Sequence, residues 1–147
     1  MRMLVTKVKR ASLSVDNKLI SKINEGYVVY LGVKTTDTKK IVEKCVDKLL
    51  KLRIFHDEND KLNLAINKDL HQILVVSQFT LYGNAKDNNR PSFTNAANSE
   101  TAKPLYEYFV ELIRNRGFEV QTGVFGAHME IDALYTGPFN LMYELED

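Results

Sequence analysis

Tryptophan is absent from this chain of 147 residues, which has a single cysteine, Cys45, with seven glycines and three prolines. One cysteine excludes an internal disulfide and is typical of proteins in a reducing compartment. No uncharged apolar run approaches the roughly 18 residues that a membrane-spanning helix needs. Lys7, Lys9 and Arg10 stand where a signal peptide needs its apolar stretch, so we expect a mature cytoplasmic protein with no membrane partner.

Neither sign of charge dominates, because 20 basic and 19 acidic residues give a net charge of +1. A nucleic-acid-binding protein usually has a clear basic excess, and we expect no DNA partner here. A protein that touches only the end of a strand needs no more than a local basic patch, so this charge does not exclude such a role. The ordinary shares of hydrophobic (44%) and charged (27%) residues predict one domain over residues 1–147.

The sequence also lacks the ligand spacing of a metal site. His56, His71 and His128 share no zinc-like spacing with one another or with Cys45. Cys45 lies on the apolar stripe of a predicted helix, so we expect it to be buried and inert. With no phosphate-binding glycine loop either, we expect neither a metal nor a cofactor.

Alternating apolar residues, and runs of β-branched and aromatic residues, predict the strands. They cover residues 3–9, 11–15, 27–33 and 72–81, with a hairpin turn at 16–18 and short strands near 118–122, 129–135 and 139–145. Two helices are predicted between the strands. The first begins at a cap on Thr36 or Asp37 and ends at Phe55, and the second runs from about Thr101 to Arg116.

Polar residues interrupt the strongest strand at residues 77–81, Ser-Gln-Phe-Thr-Leu. Because side chains alternate across a strand, Ser77 and Thr80 point to opposite faces unless the strand ends or bulges there. The pattern favours a pocket faced by backbone N–H groups near Phe79 and Thr80 and lined by polar side chains, like an oxyanion hole. The alternative is that these hydroxyls only satisfy backbone groups at the strand end.

Two loops are further candidates. Residues 83–98 form a long polar loop rich in asparagine, and loops of this length inside compact domains are often functional. The segment Thr136-Gly137-Pro138-Phe139 is predicted to be a turn between two strands, because glycine tolerates unusual φ and proline fixes its own.

At the 77–81 and 137–138 segments the sequence resembles the D-aminoacyl-tRNA deacylase family, and the resemblance covers nearly the whole chain. It is carried by blocks in the same order and spacing: Val8-Lys9-Arg10-Ala11-Ser12, Leu31-Gly32-Val33, Arg53-Ile54-Phe55, Val75–Leu81, Arg90-Pro91-Ser92-Phe93, Leu105–Phe109, Gln121–Met129 and Gly137-Pro138. No single block would be sufficient, but together they make the match specific.

The resemblance implies an α+β domain with a mostly antiparallel, twisted, barrel-like sheet and two main helices. It implies a homodimeric hydrolase that cleaves the ester joining a D-amino acid, or glycine, to the 3′ end of tRNA, a proofreading step in translation quality control. The catalytic pocket would be formed, without a metal, by Ser77, Gln78, Phe79 and Thr80. Gly137 and Pro138, joined by a cis peptide bond, would enter the active site of the partner subunit and exclude L-amino acids by crowding.

Two positions depart from the family pattern. Lys7 stands where the family has an arginine that helps hold the Gly-Pro loop, and Phe139-Asn140 stands where Val-Thr is usual. Lysine keeps the charge but lacks the planar fork of a guanidinium, so the departures bear on the rigidity of the chiral filter rather than on the reaction. The residues that we expect to contact tRNA phosphates are Lys7, Lys9, Arg10, Lys86 and Arg90. The alternative is that they form only a solvated basic face.

An aminoacyl ester is an activated acyl group, so its hydrolysis needs a positioned water and a stabilised oxyanion rather than a protein nucleophile. The sequence offers no His–Asp couple beside Thr80 or Ser77. We therefore favour catalysis by the backbone N–H groups near Phe79 and Thr80, with the 2′-hydroxyl of the tRNA orienting the water. Two other functions stay open: a generic ester or peptide hydrolase with Thr80 as nucleophile, and a non-catalytic dimer that binds RNA ends.

Overall fold

The long strand β1 (Arg2–Val15) pairs with three other strands of the main sheet. The structure, a computed structural model, describes residues 1–147. The strands are β1 (Arg2–Val15), β2 (Lys18–Ile23), β3 (Gly26–Gly32), β4 (Phe55–His56), β5 (Leu62–Leu64), β6 (Gln72–Ser77), β7 (Glu119–Thr122) and β8 (Glu130–Glu144). The helices are α1 (Lys39–Lys51) and α2 (Ser99–Asn115). No helix is both long and apolar enough to cross a membrane.

The main sheet has the order β2-β1-β3-β6-β7, and β8 lies along the other side of β1. β1 is antiparallel to β2, β3 and β8, whereas the pairs β3–β6 and β6–β7 are parallel. The parallel pairs arise because α1 and α2 each return the chain to the same end of the sheet. The sheet curls until the Ser21 hydroxyl on β2 donates to the Thr122 carbonyl on β7. The predicted α+β fold with a barrel-like sheet and two helices is confirmed.

Two hydrophobic clusters lie on opposite faces of this sheet. The larger one has 24 residues and joins the sheet to α1 and α2, and the smaller one has seven and fills the inside of the curl. On β6, Ile73 and Val75 enter the first cluster while Leu74 and Val76 enter the second. This two-sided burial explains why β6 reads as an unbroken apolar run.

The helix boundaries differ from the predicted ones. α1 begins after Thr38, whose hydroxyl accepts from the N–H of Ile41, and it ends at Lys51, so Phe55 belongs to β4. Asp37 does not cap α1 because its carboxylate accepts from the Met1 ammonium and from the Lys34 N–H, both at 2.7 Å. α2 likewise begins earlier than predicted.

Cys45 is buried on the core face of α1, as predicted. Burial raises the pKa of its thiol to about 11, because the charged thiolate loses its hydration. The thiol is therefore protonated at neutral pH and has little nucleophilic character.

Candidate active site

The predicted strand over 72–81 ends early. β6 stops at Ser77, and a 3₁₀ turn follows over Phe79–Tyr82. The N–H of Gln78 still donates to the carbonyl of Leu31 on β3, at 2.8 Å, before the chain leaves the sheet. Alternation across a strand therefore does not apply to residues 79–81, so Ser77 and Thr80 need not point to opposite faces.

This 3₁₀ turn leaves its first two backbone donors without a partner inside the turn. Its first internal bond runs from the N–H of Leu81 to the carbonyl of Gln78, at 3.3 Å. Because a 3₁₀ helix pairs each N–H with the carbonyl three residues earlier, the N–H groups that precede this bond have no partner within the turn. Those groups belong to Phe79 and Thr80, the two residues that the sequence indicated.

The turn packs directly on the end of β3 at Gly32. A Cβ placed on Gly32 would lie 3.1 Å from the Gln78 carbonyl oxygen and 3.1 Å from the Leu81 Cβ. The Phe79 ring, 56% exposed, meets the edge of the Phe93 ring with 5.1 Å between centroids. The absence of a side chain at Gly32 thus permits the close approach of the 3₁₀ turn to β3, and this approach positions the N–H groups of Phe79 and Thr80.

A cavity of about 600 Å³ opens beside the turn, at the carboxyl end of β6. Three of the four predicted pocket residues, Ser77, Gln78 and Phe79, are in its wall. Thr80 is exposed next to it, and its hydroxyl accepts a hydrogen bond from the Gln78 side-chain amide. The complete lining is Val76, Ser77, Gln78, Phe79, Ala97, Asn98, Ser99, Ala102, Phe125, Gly126, Ala127, His128, Met129 and Ile131.

Sequence reasoning missed the opposite wall, which the start of α2 and the segment 125–131 provide. Asn98 is the N-cap of α2, because its Oδ1 accepts from the Thr101 N–H at 3.0 Å, and this places Asn98 at the cavity. Asparagine is a preferred cap residue, so its position before the helix was the available signal. The aromatic and thioether side chains of Phe125 and Met129 give this wall an apolar surface.

Gly137 and Pro138 lie in a bulge of β8 and not in a turn between two strands. Thr6 pairs with Asn140 and Val8 pairs with Tyr135, so the four residues 136–139 stand opposite the single residue Lys7. The Gly137–Pro138 peptide bond is cis, and both residues are exposed. Gly137 has φ of +115°, a conformation that favours glycine. Neither residue lines the cavity of its own chain.

Lys7 is buried beneath this bulge, with 7% of its surface exposed. Its Nζ donates to the carbonyl of Ile54 at 2.8 Å and lies 4.7 Å from the Phe55 ring centroid and 5.8 Å from that of Phe139. Burial lowers the pKa of this ammonium, and the nearby carboxylate of Glu25 partly opposes the shift. Of its two expected roles, this position fits support of the bulge and not contact with a phosphate.

The other basic residues expected to contact tRNA stand in solvent. Lys9 and Arg10 are exposed on β1, and Lys86 and Arg90 are exposed in the loop between the 3₁₀ turn and α2. No group of three or more His, Cys, Asp or Glu side chains is placed to hold a metal ion.

Comparison with known proteins places these features in one family. The family model for D-Tyr-tRNA(Tyr) deacylase matches residues 4–144. A D-aminoacyl-tRNA deacylase of Clostridium perfringens is 42% identical over 144 residues, which cover 98% of this chain and 97% of the relative. A D-aminoacyl-tRNA deacylase of Aquifex aeolicus is 44% identical with the same coverage.

Two solved structures share the fold of this chain. A structure named c-Myc DNA Unwinding Element Binding Protein superposes with a TM-score of 0.93 at 36% identity, over 100% of both chains. A probable eukaryotic D-amino acid tRNA deacylase gives a TM-score of 0.83 over 98% of both chains, and at 20% identity it supports the fold alone. With a family match from Leu4 to Glu144 that includes both the 3₁₀ turn and the β8 bulge, this chain belongs to the D-Tyr-tRNA(Tyr) deacylase family.

Proposed function

We propose that this protein is a D-aminoacyl-tRNA deacylase that removes D-amino acids, and glycine, from the 3′ end of tRNA. The observation that carries the proposal is the pair of N–H groups, on Phe79 and Thr80, that the 3₁₀ turn does not pair internally, beside a cavity of about 600 Å³. Family membership supplies the class of substrate, an amino acid esterified to the terminal ribose.

The two N–H groups stabilise the negative charge that develops on the ester carbonyl oxygen. Water adds to the carbonyl carbon, and the resulting tetrahedral oxyanion accepts hydrogen bonds from Phe79 and Thr80. Collapse breaks the bond between the carbonyl carbon and the ribose oxygen, which takes a proton and leaves as the tRNA hydroxyl. The 2′-hydroxyl of the same ribose orients the attacking water.

Thr80 is not needed as a nucleophile in this mechanism. A threonine hydroxyl attacks only when a neighbouring base takes its proton. The group that contacts the Thr80 hydroxyl is the Gln78 amide, which donates to it and has no basic nitrogen. The geometry therefore favours direct attack by water over an acyl-enzyme on Thr80.

The cavity suits the terminal adenosine. Its volume lies in the range of small-molecule sites, roughly 300–1,000 Å³. Phe125 and Met129 offer apolar and polarisable contacts to a base, while Asn98 and Ser99 supply polar groups on the same wall. An adenosine there would bring the esterified ribose to the 3₁₀ turn.

Chiral selection requires a second copy of the chain. Gly137 and Pro138 are exposed on the β8 bulge and contribute nothing to the cavity of their own subunit, so their carbonyls would reach a cavity in a two-fold partner. A wall of backbone carbonyls rejects the misplaced side chain of an L-amino acid whatever its type. The same wall admits glycine, which has no side chain to clash.

Contact with the tRNA is local in this proposal. The net charge of +1 fits a protein that grips the acceptor end, and the exposed cations Arg10, Lys86 and Arg90 would meet its phosphates. Because aminoacylated tRNA is used in translation, the proposed location of the reaction is the cytoplasm.

Hydrolysis of matched D-Tyr-tRNA and L-Tyr-tRNA tests the proposal. With enzyme at one hundredth of the substrate concentration, we expect many molecules of D-Tyr to be released per subunit, and L-Tyr to be released far more slowly. Gly-tRNA should be cleaved as well. Binding of D-Tyr-tRNA without release would instead support a non-catalytic RNA-end binder, and equal rates for both enantiomers would contradict chiral selection.

A further inference from the structure

Arg2, the first residue of β1, makes three contacts with groups around the 3₁₀ turn. Its Nη1 donates to the carbonyl of Leu81 at 2.7 Å, and its Nε pairs with a Glu144 carboxylate oxygen at 2.9 Å. Its guanidinium carbon also lies 4.5 Å from the centroid of the Tyr82 ring. One side chain thus ties the end of the turn to the start of β1 and the end of β8.

The contact from Arg2 adds a third carbonyl acceptor to the hydrogen bonds at the turn. The carbonyls of Gln78 and Thr80 accept from the N–H groups of Leu81 and Gly83, at 3.3 and 2.9 Å. The Leu81 carbonyl accepts from Arg2. Tyr82 is 4% exposed and its hydroxyl has no hydrogen-bond partner, so ring packing and the guanidinium hold it.

We propose that Arg2 is a positioning residue for the deacylase reaction. By fixing Leu81 and Tyr82, it sets the orientation of the preceding peptide units and keeps the N–H groups of Phe79 and Thr80 aimed at one point. The inference rests on the proposed function, because those N–H groups matter only if they bind the oxyanion. It assigns a role in the reaction to a side chain that lies outside the cavity wall.

Only an arginine can make the three contacts together. Its planar guanidinium carries five N–H donors in a fixed fork and stacks on aromatic rings. A lysine at this position would keep the charge and could pair with Glu144. Its single nitrogen could not also stack on Tyr82 and donate to Leu81 in the same geometry. Arg2→Lys should therefore keep the ion pair with Glu144 and lose the contacts with Leu81 and Tyr82.

The test compares steady-state hydrolysis of D-Tyr-tRNA by wild type, Arg2→Lys and Arg2→Met. Loss of a whole oxyanion donor costs about 10²–10³ in kcat, so misaiming both donors should cost about tenfold in each variant. KM should stay within about twofold, since the aimed N–H groups act mainly on the transition state. Arg2→Lys should also recover the unfolding midpoint that Arg2→Met loses, without recovering kcat.

Lys34→Met is the matched control. Lys34 forms an ion pair with Glu146 near the same end of β8, and its side chain makes no hydrogen bond to the turn. Its kcat should equal that of wild type. The backbone amide resonances of Phe79 and Thr80 should move in Arg2→Lys and stay in place in Lys34→Met.

The outcomes are distinguishable. Wild type that releases no amino acid overturns the proposed function and this inference with it. Wild type that turns over while Arg2→Lys matches its kcat, or raises only KM, overturns this inference alone. If Arg2→Met does not fold, Arg2→Lys still decides, because unmoved Phe79 and Thr80 resonances would also overturn the inference.

Discussion

At the scale of single residues, Thr80 is a polar side chain beside the candidate active site whose observed contact is structural rather than catalytic. Its hydroxyl accepts from the Gln78 amide, so its visible role is to hold that side chain in place. The sequence suggested a pocket around Ser77–Thr80 because three polar side chains follow four apolar residues in one predicted strand. It could not show which atoms are available, since that depends on the hydrogen bonds of the turn.

Thr80→Ala should reduce kcat for D-Tyr-tRNA by about tenfold, through loss of the Gln78 contact and a small shift of the turn. Removal of a true nucleophile lowers kcat by several orders of magnitude, for example by about 10⁶. Thr80→Ser keeps the hydroxyl and should match wild type within about twofold. A total loss in Thr80→Ala, with circular dichroism unchanged, would point to a covalent mechanism.

Lys7 gives a second prediction at this scale, through its lowered pKa. Below the folded-state pKa, both folded and unfolded chains hold the proton, and the cost of burying the ammonium is present in full. Between that pKa and the ordinary value of 10.5, the unfolded chain binds more protons, so stability from this group rises with pH. The free energy of unfolding of wild type minus that of Lys7→Met should therefore increase as pH rises toward 10.5.

Urea denaturation at a series of pH values measures this difference in the free energy of unfolding. The titration of the buried tyrosines cancels because wild type and Lys7→Met contain the same tyrosines. Lys7→Arg is the matched control, because a guanidinium keeps its charge throughout this range and should show no comparable gain. A difference between wild type and Lys7→Met that stays flat or falls with pH would show that Lys7 is solvated in the folded protein.

At the scale of elements, the existence of strands and helices was predictable, and several boundaries were not. Hydrophobic alternation located β1, and dense apolar runs located β3 and β6. The turn that ends β6 packs on Gly32 at the end of β3, and Arg2, near the start of the sequence, donates to its Leu81 carbonyl. These are tertiary contacts between segments distant in sequence, so a local pattern carries little sign of them.

Gly32→Ala should displace the 3₁₀ turn. The added methyl would lie 3.1 Å from the Gln78 carbonyl oxygen and from the Leu81 Cβ, closer than ordinary contact, so the turn must shift by a few tenths of an ångström. We expect kcat to fall by about tenfold or more, with a loss of about 1–3 kcal/mol in the free energy of unfolding. Thr35→Ala, at an exposed position nearby, is the control. Full activity in Gly32→Ala would show that the turn tolerates displacement.

At the scale of the whole molecule, β8 shows what sequence reasoning can and cannot supply. A turn between two strands was predicted at Gly137-Pro138, but β1 runs beside β8 from Arg2 to Ser14 and holds both halves as one strand, so the extra residues form a bulge. The cavity was equally hidden, because its two walls come from residues 76–79, 97–102 and 125–131, which only the closed fold brings together. The motifs indicated the wall at residues 76–79 and the Gly-Pro segment, whereas the only sign of the opposite wall was the cap residue Asn98.

The location of the β8 bulge, outside the cavity of its own subunit, leads to a prediction about assembly. If the bulge acts at a cavity, that cavity must belong to a second subunit. Sedimentation at micromolar concentration should therefore give about twice the chain mass of 16.9 kDa. A mixed dimer of two different variants then distinguishes two models, in which the Gly-Pro loop acts either in its own subunit or in the partner subunit. One subunit carries Gly137→Ala, which is strained at φ of +115° and places a Cβ 2.9 Å from the Phe139 nitrogen. The other carries Ala127→Trp, which blocks its cavity.

In that mixed dimer, the only open cavity belongs to the subunit whose own loop is altered. If loops act across the interface, this cavity receives the intact loop of its partner and keeps the wild-type ratio of D-Tyr-tRNA to L-Tyr-tRNA hydrolysis, at about half the rate per dimer. The Gly137→Ala homodimer, where every loop is altered, should lose part of that ratio, and the Ala127→Trp homodimer should be inactive. A mixed dimer with the lowered ratio of the Gly137→Ala homodimer would mean that each bulge serves its own subunit. A fully active and selective monomer would remove the need for a partner altogether.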